Sequence, residues 1–248
     1  MRETQAIIER ARRVSSTIQQ LDLAIDAALA QLKPGQSLFI SPLERSGWVP
    51  YLREQWIPVN IEPGRLTVEL PVGAVYSPGH VVSVLGPVGR PITLRPKIHH
   101  MLMIAEDAMP TPLIWLARTL TGGGVAVTLV LGGHATTYPL ELLSPEVEVI
   151  HSDTDWKWPD QVEMLQWADQ VLVLAPTHTQ MDVYARLYDT LSQLRHHDIP
   201  DNFVSGLFFH RLACGAGACE ACQVPARKGR LLACTDGPAI DLRQVTFI

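Results

Sequence analysis

The chain has 248 residues, of which 47% are apolar and 18% charged, with a formal net charge of −5 at pH 7. That length accommodates two or three compact units with a substantial buried core, while the negative balance and the lack of a long basic run leave no clustered positive surface for non-specific nucleic-acid binding. The N-terminus scatters charge among apolar residues, unlike a secretory leader, and no stretch approaches 18 apolar residues, so no membrane span is expected and the protein reads as cytoplasmic.

In chain order, the first element is residues 3–32. Ile7, Ala11, Val14, Ile18, Leu21, Ile25, Ala28 and Leu32 recur at alternating spacings of four and three, which predicts a long amphipathic helix ended by Pro34–Gly35. Thirty helical residues would span about 45 Å. Such a helix packs on its own domain or offers a face for a second copy or a partner; a break at Ser15–Ser16–Thr17 is the other reading. Residues 35–96 follow as short strands punctuated by Pro and Gly, the pattern of a small antiparallel barrel. Residues 97–202 alternate apolar strand segments with helical ones, as in a Rossmann-like parallel sheet covered on both faces. The remaining stretch, 203–248, contains all four cysteines.

Those cysteines, Cys214, Cys219, Cys222 and Cys234, are spaced C-x4-C-x2-C-x11-C. In a reducing compartment, clustered thiols serve metals or catalysis more often than disulfides. Structural zinc usually takes paired C-x2-C knuckles, and only one is present. Plant-type [2Fe–2S] clusters use C-x4-C-x2-C with a distant fourth cysteine, which is the reading the spacing favours. Gly215 and Gly217 fall between the first two ligands, where a loop wrapping an inorganic core needs sharp bends, and Ala216, Ala218 and Ala221 leave backbone N–H groups free to face the sulfurs. Among the histidines, His99, His100, His178, His196, His197 and His210 show no tight ligand spacing; His210, four residues before Cys214, is placed to donate a hydrogen bond near a cluster.

The segments "LACGAGACEACQV" and "LLACTDGP" resemble the C-terminal domain of the electron-transfer subunit of bacterial NAD-dependent dihydroorotate dehydrogenase, a ferredoxin-reductase-like family. "VVSVLGPVGRPITL" is similar to its barrel exit, and "MLMIAEDAMPTPLIWLARTL" and "ADQVLVLAPTHTQMDVYARLYDTL" to the first and last strand–helix units of its nucleotide lobe. The resemblance implies an FAD-holding barrel, a lobe facing NAD(H), and a cluster passing electrons to a separate flavin-containing catalytic subunit.

The sequence also departs from that family. The barrel's arginine–proline–serine motif is replaced by "YLREQWIPVNI", in which Arg53 is the one residue left to meet a flavin phosphate, and the phosphate-binding glycine turn is missing. After the first strand of the lobe, a glycine cluster is replaced by Glu106 and Asp107. Like charges 4 Å apart cost about 1 kcal/mol in water and about 4 kcal/mol at a protein-like dielectric, so NAD(H) is not expected and the case for FAD is weakened. The expectation is an iron–sulfur electron-transfer subunit. The alternative is an assembly subunit in which the cluster only staples the C-terminal fold.

Overall fold

The computed structural model describes residues 1–42, 53–73, 76–196, 198–209 and 212–247; His197, His210 and the first two residues of the "YLREQWIPVNI" stretch lie outside them. Seven strands form the N-terminal sheet: β1 (Arg2–Arg13), β2 (Ile18–Ala24), β3 (Ser37–Pro42), β4 (Glu54–Trp56), β5 (Pro58–Glu62), β6 (Arg65–Pro71) and β7 (Val81–Val88). Their order is β4-β3-β7-β1-β2-β6-β5, with every pairing antiparallel.

The N-terminal helix expected over 3–32 is therefore corrected. Residues 2–13 and 18–24 are two strands of the same sheet as β3 to β7, and within 3–32 only Leu29–Gln31 makes a short 3-10 turn. The turn falls at Ser15–Ser16–Thr17, where the N–H groups of Val14 and Ser15 donate to Ile18 O (3.0 and 3.2 Å) and Ser15 Oγ accepts from the N–H groups of Thr17 and Ile18. The strands obey a period of two: Ala6 and Ile8 are buried while Ile7 between them is 49% exposed. In β2, Leu21 and Leu23 face the core, but Gln20 and Asp22 on the other face are buried as well. Gln20 Nε2 donates to Glu69 (2.9 Å) and Thr67 Oγ1 to Asp22 (2.7 Å). Polar residues buried by partners more than 40 positions away leave an apolar subset that mimics helical spacing. The docking face expected of that helix goes with it.

The second layer system comprises β8 (His100–Glu106), α1 (Thr111–Gly122), β9 (Ala126–Gly132), β10 (Val147–His151), α2 (Gln161–Trp167), β11 (Gln170–Leu174), α3 (Gln180–Leu194) and β12 (Val204–Leu207). The strands pair in parallel in the order β10-β9-β8-β11-β12. Alternation on β8 feeds two cores: Met101 and Met103 pack with Leu113, Leu116 and Leu120 of α1, and Leu102 and Ile104 with Tyr184, Leu187 and Leu191 of α3. This is the parallel sheet covered on both faces that the apolar strand segments predicted. Glu69 ties the barrel to this lobe, accepting from Tyr138 Oη (2.9 Å) and Thr111 Oγ1 (2.8 Å) as well as from Gln20.

The C-terminal stretch leaves β12, forms the hairpin β13 (Gln223–Val224) and β14 (Leu231–Leu232), and returns as β15 (Ala239–Asp241), antiparallel to β12 at the edge of the lobe sheet. The cysteine segment is thus held at both ends by one sheet.

Candidate functional site

Local turn chemistry sets the four thiols. Cys222 ends the run into β13 and Cys234 follows β14, so the hairpin brings them side by side; Ala233 N–H donates to Cys222 O (2.9 Å). Asp236 then closes the turn, its carboxylate accepting from Leu232 N–H (2.8 Å) while its own N–H donates to Leu232 O (2.7 Å). Cys222 and Cys234 are buried, Cys214 is partly exposed and Cys219 exposed.

Backbone N–H groups point at the sulfurs. Ala216 N–H donates to Cys214 Sγ (3.4 Å), Cys219 N–H to the same sulfur (3.5 Å), and Gly217 N–H to Cys234 Sγ (3.3 Å). The amides of Ala216 and Cys219, with the Cys219 side chain, hold the Cys214 thiol down to about 6, which favours the thiolate, the form that binds metal. Burial pushes the Cys234 thiol up, reinforced by its side-chain hydrogen bond with Cys222. The side chains meet as two contacts, Cys214 with Cys219 and Cys222 with Cys234. Among the described residues, no three His, Cys, Asp or Glu side chains gather as closely as a single metal ion requires.

The glycines between the first two cysteines are required twice over. Gly215 and Gly217 have φ of +66° and +76°, conformations that side chains resist. A Cβ on Gly215 would also stand 2.7 Å from Phe39 Cε2, with Met1 and Val88 close behind. The cysteine loop is therefore seated on the barrel. A second contact joins the two family-like motifs: Arg90 N–H donates to Gly237 O (2.7 Å), so the "GPVGR" turn leaving the barrel meets the "CTDGP" turn after the fourth cysteine.

Among the described residues, Arg53 and Glu106, which the sequence sets where a dinucleotide would lie, have these surroundings. Arg53 Nη1 donates to Ser83 Oγ (2.9 Å) and its Nη2 pairs with Glu3 (2.6 Å), so the guanidinium is engaged within the barrel wall. Where barrel, lobe and cysteine segment meet, Ser37, Gln55, Val88, Phe208, Ala233 and Pro238 enclose a cavity of about 10 Å³, which holds one water at most. At the end of β8, burial raises the Glu106 carboxyl above its ordinary range and neighbouring Asp107 adds to the effect, against the attraction of Arg186. A group that already resists ionisation would be driven further by an incoming phosphate.

Sequence reasoning missed the polar residues around Glu106. Ser152, Trp156 and Trp158 crowd the same sheet end, and Arg186 lies over the Trp156 ring (4.3 Å to the centroid). Their signal was the doubled tryptophan of "DTDWKWP".

The fold resembles that of several solved structures. One, titled "Insights into flavin-based electron bifurcation via the NADH-dependent reduced ferredoxin-NADP oxidoreductase structure", is 18% identical with a TM-score of 0.73, over 98% of this chain and 90% of that one. Phthalate dioxygenase reductase is also 18% identical, with a TM-score of 0.56, over 82% of this chain and 67% of that one. Residues 210–246, which include all four cysteines, match the iron–sulfur cluster binding domain of dihydroorotate dehydrogenase B. The chain therefore combines a ferredoxin-reductase-like fold with a segment that matches an iron–sulfur cluster binding domain.

Two curated proteins sharpen this. The chain is 34% identical over 177 residues to a probable dihydroorotate dehydrogenase B (NAD(+)) electron transfer subunit of Methanopyrus kandleri, covering 66% of this chain and 62% of that protein. It is 29% identical over 187 residues to the corresponding subunit of Geobacillus kaustophilus, covering 70% of this chain and 68% of that protein. The chain is thus similar to dihydroorotate dehydrogenase B electron-transfer subunits over about two thirds of their length. Among the described residues, no helix is long and apolar enough to cross a membrane.

Proposed function

We propose that the chain relays single electrons through a [2Fe–2S] cluster held by Cys214, Cys219, Cys222 and Cys234, and delivers them to or takes them from a flavin-containing catalytic subunit of the dihydroorotate dehydrogenase type. The observation that carries this is the three backbone N–H groups of the cysteine loop that donate to the sulfurs of Cys214 and Cys234. When bound, the cluster supplies a one-electron couple whose potential depends on charge, exposure and hydrogen bonds to sulfur. A two-iron core takes two thiolates at each iron, which suits ligands that meet as two pairs better than a four-thiolate single-ion site.

The protein's residues perform three tasks. Gly215 and Gly217 let the loop close over the core without Cβ overlap. Ala216, Gly217 and Cys219 direct N–H dipoles at negative sulfur, stabilising the ionised ligands. Cys222 and Cys234 anchor the buried side, while Cys219 leaves the opposite edge at the surface, within reach of a partner. The flavin belongs to that partner, because the barrel's own arginine is committed to Glu3 and Ser83.

Anaerobic purification with iron and sulfide analysis tests the reading, followed by electron paramagnetic resonance after dithionite. About two irons and two sulfides per chain, with a reduced [2Fe–2S] signal, are expected. Iron at that level without the signal would overturn it. The assembly-subunit alternative is separated by adding dihydroorotate to the recovered complex: bleaching of the cluster band is expected of a relay.

A further inference from the structure

The barrel meets the rest of the chain at two separate places. On the β2–β6 side, Glu69 is 7% exposed. It accepts from Gln20 Nε2 (2.9 Å) in its own sheet and from Tyr138 Oη (2.9 Å) and Thr111 Oγ1 (2.8 Å) in the lobe. Around it, Ile18 and Val59 of the barrel share an apolar cluster with Ile114 and Tyr138 of the lobe, and Trp115 of α1 joins the barrel's own core with Leu66 and Val68. On the β3–β7 side, Phe39 and Val88 share a cluster with Leu212, Ala233 and Cys234, and both crowd the position that a Cβ on Gly215 would take. Strand β1 separates the two pairs of strands in the sheet. The covalent link between barrel and lobe is tied down as well. Ile92 N–H donates to Pro34 O (2.9 Å), and the fully buried Gln170 donates to Thr93 O (2.9 Å) while accepting from Arg95 N–H (3.0 Å).

Two bodies joined by a linker move against each other unless the contact between them resists it, and a hinge needs backbone free to change its dihedral angles. With the linker pinned, the motion left is a pivot that slides the β2–β6 face over α1. Apolar contacts such as those of Ile18 and Ile114 tolerate a small slide. Glu69 does not. A displacement of about 1 Å, too small to admit water, would leave a buried carboxylate without donors, and an unsatisfied buried charge is costly. The network therefore selects one arrangement of barrel and lobe. The cysteine segment feels that arrangement because it is strung from the lobe sheet through β12 and β15 while Gly215 rests on the barrel. A slide of the barrel would drag Gly215 and its neighbours relative to Cys234, across the bond from Gly217 N–H to Cys234 Sγ (3.3 Å).

We propose that Glu69 is a positioning residue for the cysteine loop: it locks the barrel to the lobe in the arrangement in which the loop's N–H groups reach the sulfurs, so that barrel and lobe move as one body. The consequence for a cluster rests on the electron-transfer reading, whereas the effect on the loop is read from the chain itself. Hydrogen–deuterium exchange of the anaerobically isolated full chain tests it, with Glu69→Ala and Glu69→Gln compared with wild type. In Glu69→Gln the hydroxyl of Thr111 or Tyr138 can turn to accept from the new amide, which keeps the network closed. The amides of residues 214–219 should exchange at least about threefold faster in Glu69→Ala, although none of the three donors to Glu69 lies in that segment. Glu69→Gln should return them to near the wild-type rate. Tyr138→Phe, which removes one lobe donor and keeps the ring, carries the same expectation on a smaller scale and decides the matter if Glu69→Ala does not fold. The proposal is overturned if exchange rises only around residues 20, 69, 111 and 138 while 214–219 is unchanged, or if Glu69→Gln exchanges as fast as Glu69→Ala. Iron is counted on the same samples: an iron-free wild type would sink the electron-transfer reading, and the exchange rates would still judge Glu69.

Discussion

Two ends of this protein offer a charged cofactor opposite environments. The cysteine loop has glycines at positive φ, small residues, and N–H groups aimed inward at thiols. The end of β8 has Glu106 and Asp107, a raised carboxyl, and a Glu106 oxygen with no partner among the described residues. One fold therefore holds a thiol loop suited to an inorganic core at one end and an acidic sheet end at another. The lobe sheet supports both.

The strongest way to break the comparison is at a buried ligand. Cys222→Ser should remove most of the bound iron, measured by colorimetric assay, because Cys222 is buried and shares a contact with Cys234. Full iron retention would mean the thiol is not a ligand. Next comes Gly215→Ala. The left-handed backbone and the Phe39 contact together should cost about 1–3 kcal/mol, seen as a melting temperature several degrees lower and a cluster that bleaches faster in air.

Glu106→Gln sharpens the other side. Its folded-state carboxyl titrates above the ordinary 4.5 because burial penalises the ionised form. The ionised carboxylate therefore weakens the fold above that raised value, and the penalty fades as the pH falls below about 4.5. The variant should melt higher than wild type at pH 7 to 8, with the gap closing toward pH 4. A gap that is constant with pH would assign the effect to packing. The smallest effect is expected at Arg53→Ala. An ion pair with one exposed partner contributes little, so stability should barely move and flavin content should be the same as in wild type. Loss of a bound FAD in that variant would return the arginine to a phosphate-binding role.

Much of this was legible in the sequence because it is local. The four cysteines and two glycines lie within 21 residues, and the strands of the lobe are continuous apolar runs. Residues 3–32 misled because burial there is decided at long range: Gln20 and Asp22 look solvent-facing until Glu69 and Thr67 are laid against them. The same holds for Gly215, whose need for a bare Cα comes from Phe39 and Val88 of the barrel as much as from the loop. The polar corner around Glu106 is assembled from β8, β9 and the loop after β10, so no single stretch announced it beyond the paired tryptophans.

The most direct measurement is the electron paramagnetic resonance spectrum of the anaerobically isolated, dithionite-reduced chain, with iron and sulfide counted on the same sample. The account predicts a brown protein giving one reduced two-iron signal per chain. A colourless protein, or one whose cysteines carry zinc, would contradict it.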